Sequence, residues 1–446
     1  MAAKSFLLQE CANVKQVLEE TLRFEYGAGG SKDFFDECSS RLAFITSEIA
    51  AADEADFSAL GANQELLLDL SKLISRIERS SLGQYSWPFV DELKKIAAAI
   101  CAEDTLDDTD TPPMVHVLSE GGLDAYAIYP EEQRPSGSER RILTIVFPRT
   151  LKHFVLLHSI LGHEIGHAIW RSSKHQNDLR AAVDKAFVAS NGRFSSALAT
   201  TNWLYDAGAP TSITARLAVF LQQGLPRDRF FMWANWEAWR EEILCDLIGI
   251  LTFGPSFIAA ECQLLYSLDL SGMGIGSQHP PVGCRVNLFL AAARLLGYRT
   301  MAFDDQKVQC AFDAFWTDLE SKVKTDPWFD IFTDAEISAA LDGIGAVLGT
   351  HPPALFRLPD VSLLEHLFQQ LAKGIPPIGF SLDEDFKPRT SAVDFRHILY
   401  AGWIASHREN PIGFLDLNRL CEHAIMQQRS IEIFTQNTAI GNDSTI

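Results

Sequence analysis

The chain has no CxxC pair, no surplus of positive charge, and no uninterrupted apolar run approaching the roughly 18 residues that a spanning helix needs. Its eight cysteines lie scattered at 11, 38, 101, 245, 262, 284, 310 and 421. In a chain of 446 residues that scatter argues against a disulfide framework or a cysteine metal site, and predicts reduced thiols in the cytoplasm. The nearest approach to a span, "LIGILTFGPSFIAA" (247–260), is short and broken by Gly254-Pro255, so no membrane span is expected. The opening "MAAKSFLLQECANVKQVLEE" has one short apolar patch and then turns polar, unlike a secretory signal. With 58 acidic against 38 basic side chains and a formal net charge of −20, the chain also lacks the basic character that nucleic acid or an anionic membrane requires.

What is present suits a large globular protein: 47% hydrophobic and 22% charged residues are enough to build and solubilise a core. Residues 5–102 read as helices, with apolar positions three and four apart in "FLLQECANVKQVLEETLRF", "DFFDECSSRLAFITSEIA", "NQELLLDLSKLISRIERS" and "FVDELKKIAAAICAE". The acidic, proline-ended "EDTLDDTDTPP" (103–113) reads as a linker. Three β-rich segments follow, "MVHVLSE" (114–120), "DAYAIYP" (124–130) and "RILTIVFP" (141–148), expected to form a small antiparallel sheet. A helix is expected over about 150–172, helices with loops over 176–234, and an apolar helix over about 235–253. A loop over 269–281 leads into the helical "VGCRVNLFLAAARLLGY", and the chain beyond 300 is mostly helical before a polar tail, "TQNTAIGNDSTI", expected to fray. The expected fold class is α+β and predominantly helical, in three parts: an N-terminal helical region (1–105), a core (106–300) and a C-terminal helical region (301–446).

The chemistry is concentrated in "LLHSILGHEIGHAIW" (156–170). His163 and His167 stand four residues apart, which puts both imidazoles on one helix face, as two ligands of a zinc ion require. Glu164 lies about 100° round the helix, where a carboxylate can take a proton from a water acidified by the metal. The neighbours Leu156, Leu157, Ile160, Leu161, Ile165, Ala168, Ile169 and Trp170 are apolar nearly all round, so the polar cluster needs a compensating partner. Gly166 leaves room for the close approach of a substrate or a neighbouring helix. A third ligand is sought in another apolar segment, "EEILCDLIGILTF" (241–253). There Glu242 and Asp246 are one turn apart, giving Glu242 as ligand and Asp246 as hydrogen-bond partner of a ligand histidine. Glu241 and Glu237 compete for the ligand role, but neither stands four residues before Asp246. His158, Tyr205, Tyr266 and Cys245 carry no such signal, and the aromatic "FFMWANWEAWR" (230–240) reads as core packing.

HExxH followed some seventy-odd residues later by ExxxD resembles the gluzincin metallopeptidases, and the H-P-P-x-x-x-R run at His279–Arg285 resembles the branch of CAAX prenyl endopeptidases and their relatives. The resemblance spans about residues 114–300 and implies a zincin-like core. It further implies that His279 stabilises the oxyanion with Arg285 in support, and that "RILTIVFP" is an edge strand to which an extended substrate pairs. A second H-P-P-x-x-x-R run begins at His351, and a histidine before two prolines is also an ordinary helix-entry residue. The expected function is a zinc-dependent endopeptidase acting on protein or peptide substrates, its terminal helical regions restricting access or recruiting a regulatory protein partner. The alternative is a zinc-binding gluzincin-like scaffold without turnover.

Overall fold

The computed structural model describes residues 3–21, 31–78, 87–101, 113–119, 126–130, 141–172, 175–201, 235–268, 278–323, 330–349, 354–382, 388–390 and 393–442. The chain forms two compact units, Met1–His153 with Arg171–Lys174, and Phe154–Trp170 with His175–Ile446. Helices on both sides of residue 300 belong to the second unit. The expected linker at 103–113 lies almost wholly outside the described residues, as do Tyr205 and His351.

In the first unit, α1 (Ala3–Thr21), α2 (Ser31–Ala51) and α3 (Phe57–Glu78) bury one apolar stripe each. Leu7, Leu18, Cys38, Ile45, Ile49, Leu60, Leu67 and Ile74 meet there, joined by Met114 and Ile142 of the sheet. Helix α4 (Trp87–Ile100) follows and packs against the first strand. The strands β1 (Met114–Ser119), β2 (Ala127–Pro130) and β3 (Ile142–Phe147) appear close to where the sequence puts them, but the sheet is mixed. Its order is β1-β3-β2, with β1 parallel to β3 (Met114 opposite Ile142) and β2 antiparallel to it (Ala127 opposite Val146). This overturns two expectations, an antiparallel sheet and β3 as an edge. "ILTIVF" is buried at every position, Thr144 included, as in a central strand, and pairing on both sides leaves β3 no free edge for a substrate.

Among the described residues the second unit is helical, apart from the hairpin β4 (Phe380–Leu382) with β5 (Pro388–Thr390). The expected helix over 150–172 begins only at Leu161: short 3₁₀ turns occupy Arg149–Leu151 and Leu157–Ile160 before α5 (Leu161–Ser172). The reason lies far along the chain: the Leu156 N–H donates to Asn418 Oδ1 (2.9 Å) and its carbonyl accepts from Trp403 Nε1 (3.2 Å), which pins the backbone just ahead of the second 3₁₀ turn. Next come α6 (Gln176–Ala186), α7 (Val188–Thr201), α8 (Trp236–Phe253), α9 (Pro255–Leu268) and α10 (Val282–Leu295). They are followed by α11 (Gln306–Glu320), α12 (Asp334–Leu348), α13 (Val361–Ala372), α14 (Phe395–Ser406) and α15 (Phe414–Asn442). The tail expected to fray is helical as far as Asn442, because α15 propagates from turns anchored by buried Leu417, Cys421 and Ala424.

Helix α8 runs through the middle of this unit, against α9, α10 and α12. Asn235 caps its start by accepting from the Glu237 N–H at 3.0 Å. Gly254 ends it at φ 60°, where an added Cβ would lie 2.4 Å from the Phe356 ring. Buried Arg396 of α14 donates to the Thr252 carbonyl at 2.9 Å, satisfying the end of α8. No helix among the described residues is long and apolar enough to cross a membrane.

Candidate metal centre

Two helices build the site, and small residues let them approach. A Cβ added at Gly166 of α5 would lie 2.6 Å from Cys245 Cα of α8, and one at Gly162 would lie 2.9 Å from Gly249 Cα. Gly166 thus makes room for a neighbouring helix, one of the two uses its sequence context suggests. The contact faces His163 and His167 across to Glu242 and Asp246.

The distances fall into an inner and an outer set. In the inner set, His163 Nε2 lies 3.2 Å from His167 Nε2 and 3.3 Å from Glu242 Oε2, and His167 Nε2 lies 3.4 Å from Glu242 Oε1. Ligand atoms at about 2.0–2.1 Å from a tetrahedral ion stand about 3.3–3.4 Å from one another, so each of these separations is that of a zinc-sized site, with the two histidines meeting different oxygens of Glu242. Glu242 Oε2 is buried and has no directed hydrogen-bond partner among the described residues, as befits an atom that awaits a cation. Burial would raise the Glu242 carboxyl, but His163 and His167 hold it well below the usual carboxylate range.

In the outer set, each histidine turns its other nitrogen to a carboxylate. His163 Nδ1 lies 2.9 Å from Asp246 Oδ1, and His167 Nδ1 lies 2.8 Å from Glu241 Oε1. Burial alone would lower His163, yet Asp246 and Glu242 together raise it well above the imidazole range. Arg285 of α10 stands behind Asp246, with Nε to Oδ2 at 2.8 Å and Nη2 to Oδ1 at 2.5 Å, and also reaches Glu261 Oε1 of α9 at 2.8 Å. All three are buried, and the centre gathers four carboxyl groups, Glu241, Glu242, Asp246 and Glu261, of which Asp246 and Glu261 pair with this one guanidinium. A divalent cation would offset most of the remaining negative charge.

Two other triplets converge, His163 with His167 and Cys245, and His163 with Asp246 and Glu261. Neither is as good a cage. Burial pushes the Cys245 thiol up, which disfavours the ligating thiolate. Asp246 and Glu261 already share the cation of Arg285.

Helix α10 starts at Val282 just after Pro280-Pro281, a place where a missing N–H costs nothing. His279 precedes it, 62% exposed, with Nε2 3.5 Å from Glu242 Oε1. It faces the inner set from the solvent side. Arg285 does not accompany it: its Nη2 lies 3.4 Å from His163 Nδ1, on the side of that ring away from Glu242. The geometry therefore gives Arg285 the task of holding Asp246 rather than that of meeting a reacting oxygen, which revises the role implied by the resemblance. Half-buried Glu164 lies beside His163 on α5.

Among the other residues weighed, Glu237 pairs with Arg240, and Tyr266 donates to the Lys322 carbonyl at 2.6 Å. His158 is fully buried in the 3₁₀ turn, and Trp236 and Trp239 pack against Phe194. Sequence reasoning missed Glu261, and it weighed Glu241 only as a rival ligand rather than as the partner of His167. Glu241 is five positions before Asp246, about 140° away on a helix, so spacing does not group them. Glu261 did carry a signal, as a lone charge in the apolar "FIAAECQLL". No protein-family model, no curated protein and no solved structure matches the chain.

Proposed function

We propose that the protein is a zinc-dependent endopeptidase of the gluzincin type, with the ion held by His163, His167 and Glu242. The observation that carries this reading is the close approach of the two Nε2 atoms to each other, at 3.2 Å, and of each to one oxygen of the Glu242 carboxylate, at 3.3 and 3.4 Å. Zinc in that position would acidify a water to a pKa near 7 and polarise a peptide carbonyl. Glu164 takes the proton of the attacking water on its carboxylate and delivers it to the nitrogen of the departing amine. His279, at the solvent side of the site, offers a ring N–H to the carbonyl oxygen as negative charge gathers there. Asp246 and Glu241 hold the Nδ1 protons of the two ligand histidines, leaving each Nε2 lone pair free to ligate. The reading extends to a zincin-like core, a protein or peptide substrate and a cytoplasmic setting, with which the eight free thiols agree. The terminal regions are assigned to substrate access or to a regulatory partner.

Glu164 separates this reading from a zinc-holding scaffold, which has no use for a base beside the ion. The test is incubation of the zinc-loaded protein with a complex peptide library, with cleavage read by mass spectrometry. Wild type is expected to cut, and Glu164→Gln to bind zinc and not cut. A library left intact by zinc-loaded wild type, or cut equally by Glu164→Gln, overturns the peptidase reading.

A further inference from the structure

We infer that Glu241 is a positioning residue for the metal centre, fixing the tautomer and the plane of His167 as Asp246 does for His163; the inference rests on the zinc site proposed above. A free neutral imidazole favours its proton on Nε2, the nitrogen that has to ligate here. The proton is moved to Nδ1 by an acceptor at that atom. For His167 the acceptor is Glu241 Oε1 at 2.8 Å, while Nε2 of the same ring points to His163 Nε2 at 3.2 Å and Glu242 Oε1 at 3.4 Å. One helix, α8, thereby supplies the carboxylate ligand and both carboxylates that orient the ligand histidines.

The two orienting pairs differ. Asp246 is fully buried and clamped by two hydrogen bonds from Arg285. Glu241 is 22% exposed, and the His167 side chain is 15% exposed. His163 is thus anchored from the core, whereas His167 depends on a carboxylate at the rim of the site. Glu241 is the one of the two that can be replaced without unpairing a buried arginine.

The experiment measures zinc dissociation constants by chelator competition on the full chain, for wild type, Glu241→Ala, Glu241→Gln, Glu242→Ala and Glu237→Ala. Removing a partner of a ligand histidine costs about 10–100-fold in metal affinity, so Glu241→Ala is expected to weaken zinc by that factor. Glu241→Gln, whose amide oxygen still accepts from Nδ1–H, is expected to recover most of the loss. Glu237→Ala, on the same helix but paired with Arg240, is expected to match wild type. In the zinc-loaded protein a downfield imidazole N–H proton signal is expected for wild type and Glu241→Gln and is lost in Glu241→Ala, while unfolding midpoints of the zinc-free proteins stay together. Wild-type affinity in Glu241→Ala beside a large loss in Glu242→Ala overturns the role of Glu241 and leaves the zinc site standing. No loss in Glu242→Ala overturns the zinc site itself.

Discussion

Replacing Gly166 by alanine is expected to destabilise the protein and weaken metal binding, although alanine is the better helix former. The added Cβ would lie 2.6 Å from Cys245 Cα and 2.8 Å from its Cβ, against the roughly 3.5–4.0 Å of an ordinary carbon contact. Because the nearest atom is backbone, no side-chain rotation relieves the clash, and α5 must move from α8 by about 1 Å. Overpacking of this kind costs about 1–3 kcal/mol, against a gain of up to about 1 kcal/mol from replacing glycine within a helix. The net expectation is a loss of about 1–2 kcal/mol, or about 1–3 °C in the unfolding midpoint of a chain this long. The same movement widens the 3.3 and 3.4 Å separations between the two histidines and the Glu242 carboxylate, so zinc affinity falls with stability. Gly345→Ala is the matched control: that glycine also lies within a helix, and its added Cβ meets nothing within 4 Å, so it should gain stability. Urea denaturation of the three proteins, with chelator competition for zinc, decides the matter. If Gly166→Ala is as stable as Gly345→Ala and binds zinc like wild type, close helix packing is not what brings the ligands together.

Arg285→Met leaves Asp246 and Glu261 as buried carboxylates without their cation, and is expected to cost about 3–5 kcal/mol by urea denaturation at pH 7. Asn418→Ala strips the Leu156 N–H of its acceptor just ahead of α5, and is expected to cost about 1–3 kcal/mol, with some loss of zinc by the same competition assay. His116 is held neutral chiefly by burial, with a pKa pushed down to about 3, and its Nε2 has no hydrogen-bond partner among the described residues. Its folded pKa lies below the ordinary imidazole value of 6.5, so its contribution is complete above pH 6.5 and is lost as the unfolded chain takes up a proton between pH 6.5 and 3. The slope is at most about 1.4 kcal/mol per pH unit, and His116→Gln is expected to flatten the acid limb of a stability-against-pH curve by that amount.

The residues most legible in the sequence are those whose polarity conflicts with their neighbours. His163, His167, Glu242 and Asp246 stand out as polar groups in apolar helices, and the structure places all four together. Helix spans and strand positions were legible for the same reason, since periodicity reports burial directly. Strand direction was not, because alternation says which face is buried and nothing about which neighbour is parallel, although the unbroken "ILTIVF" pointed to a central strand. The late start of α5 depends on Asn418 and Trp403, some 250 residues away, and leaves no local trace. Glu241 was visible only as a rival ligand, because its helical phase hides its pairing with His167, and a motif gives Arg285 a spacing without a direction.

The central claim is that His163, His167 and Glu242 hold one zinc ion. Metal content by mass spectrometry, on untagged protein purified without chelator, tests it most directly, with wild type and Glu242→Ala measured side by side. The account predicts about one zinc per chain in wild type and a marked loss in the variant. Wild-type protein without zinc, or a variant that retains it in full, would contradict it.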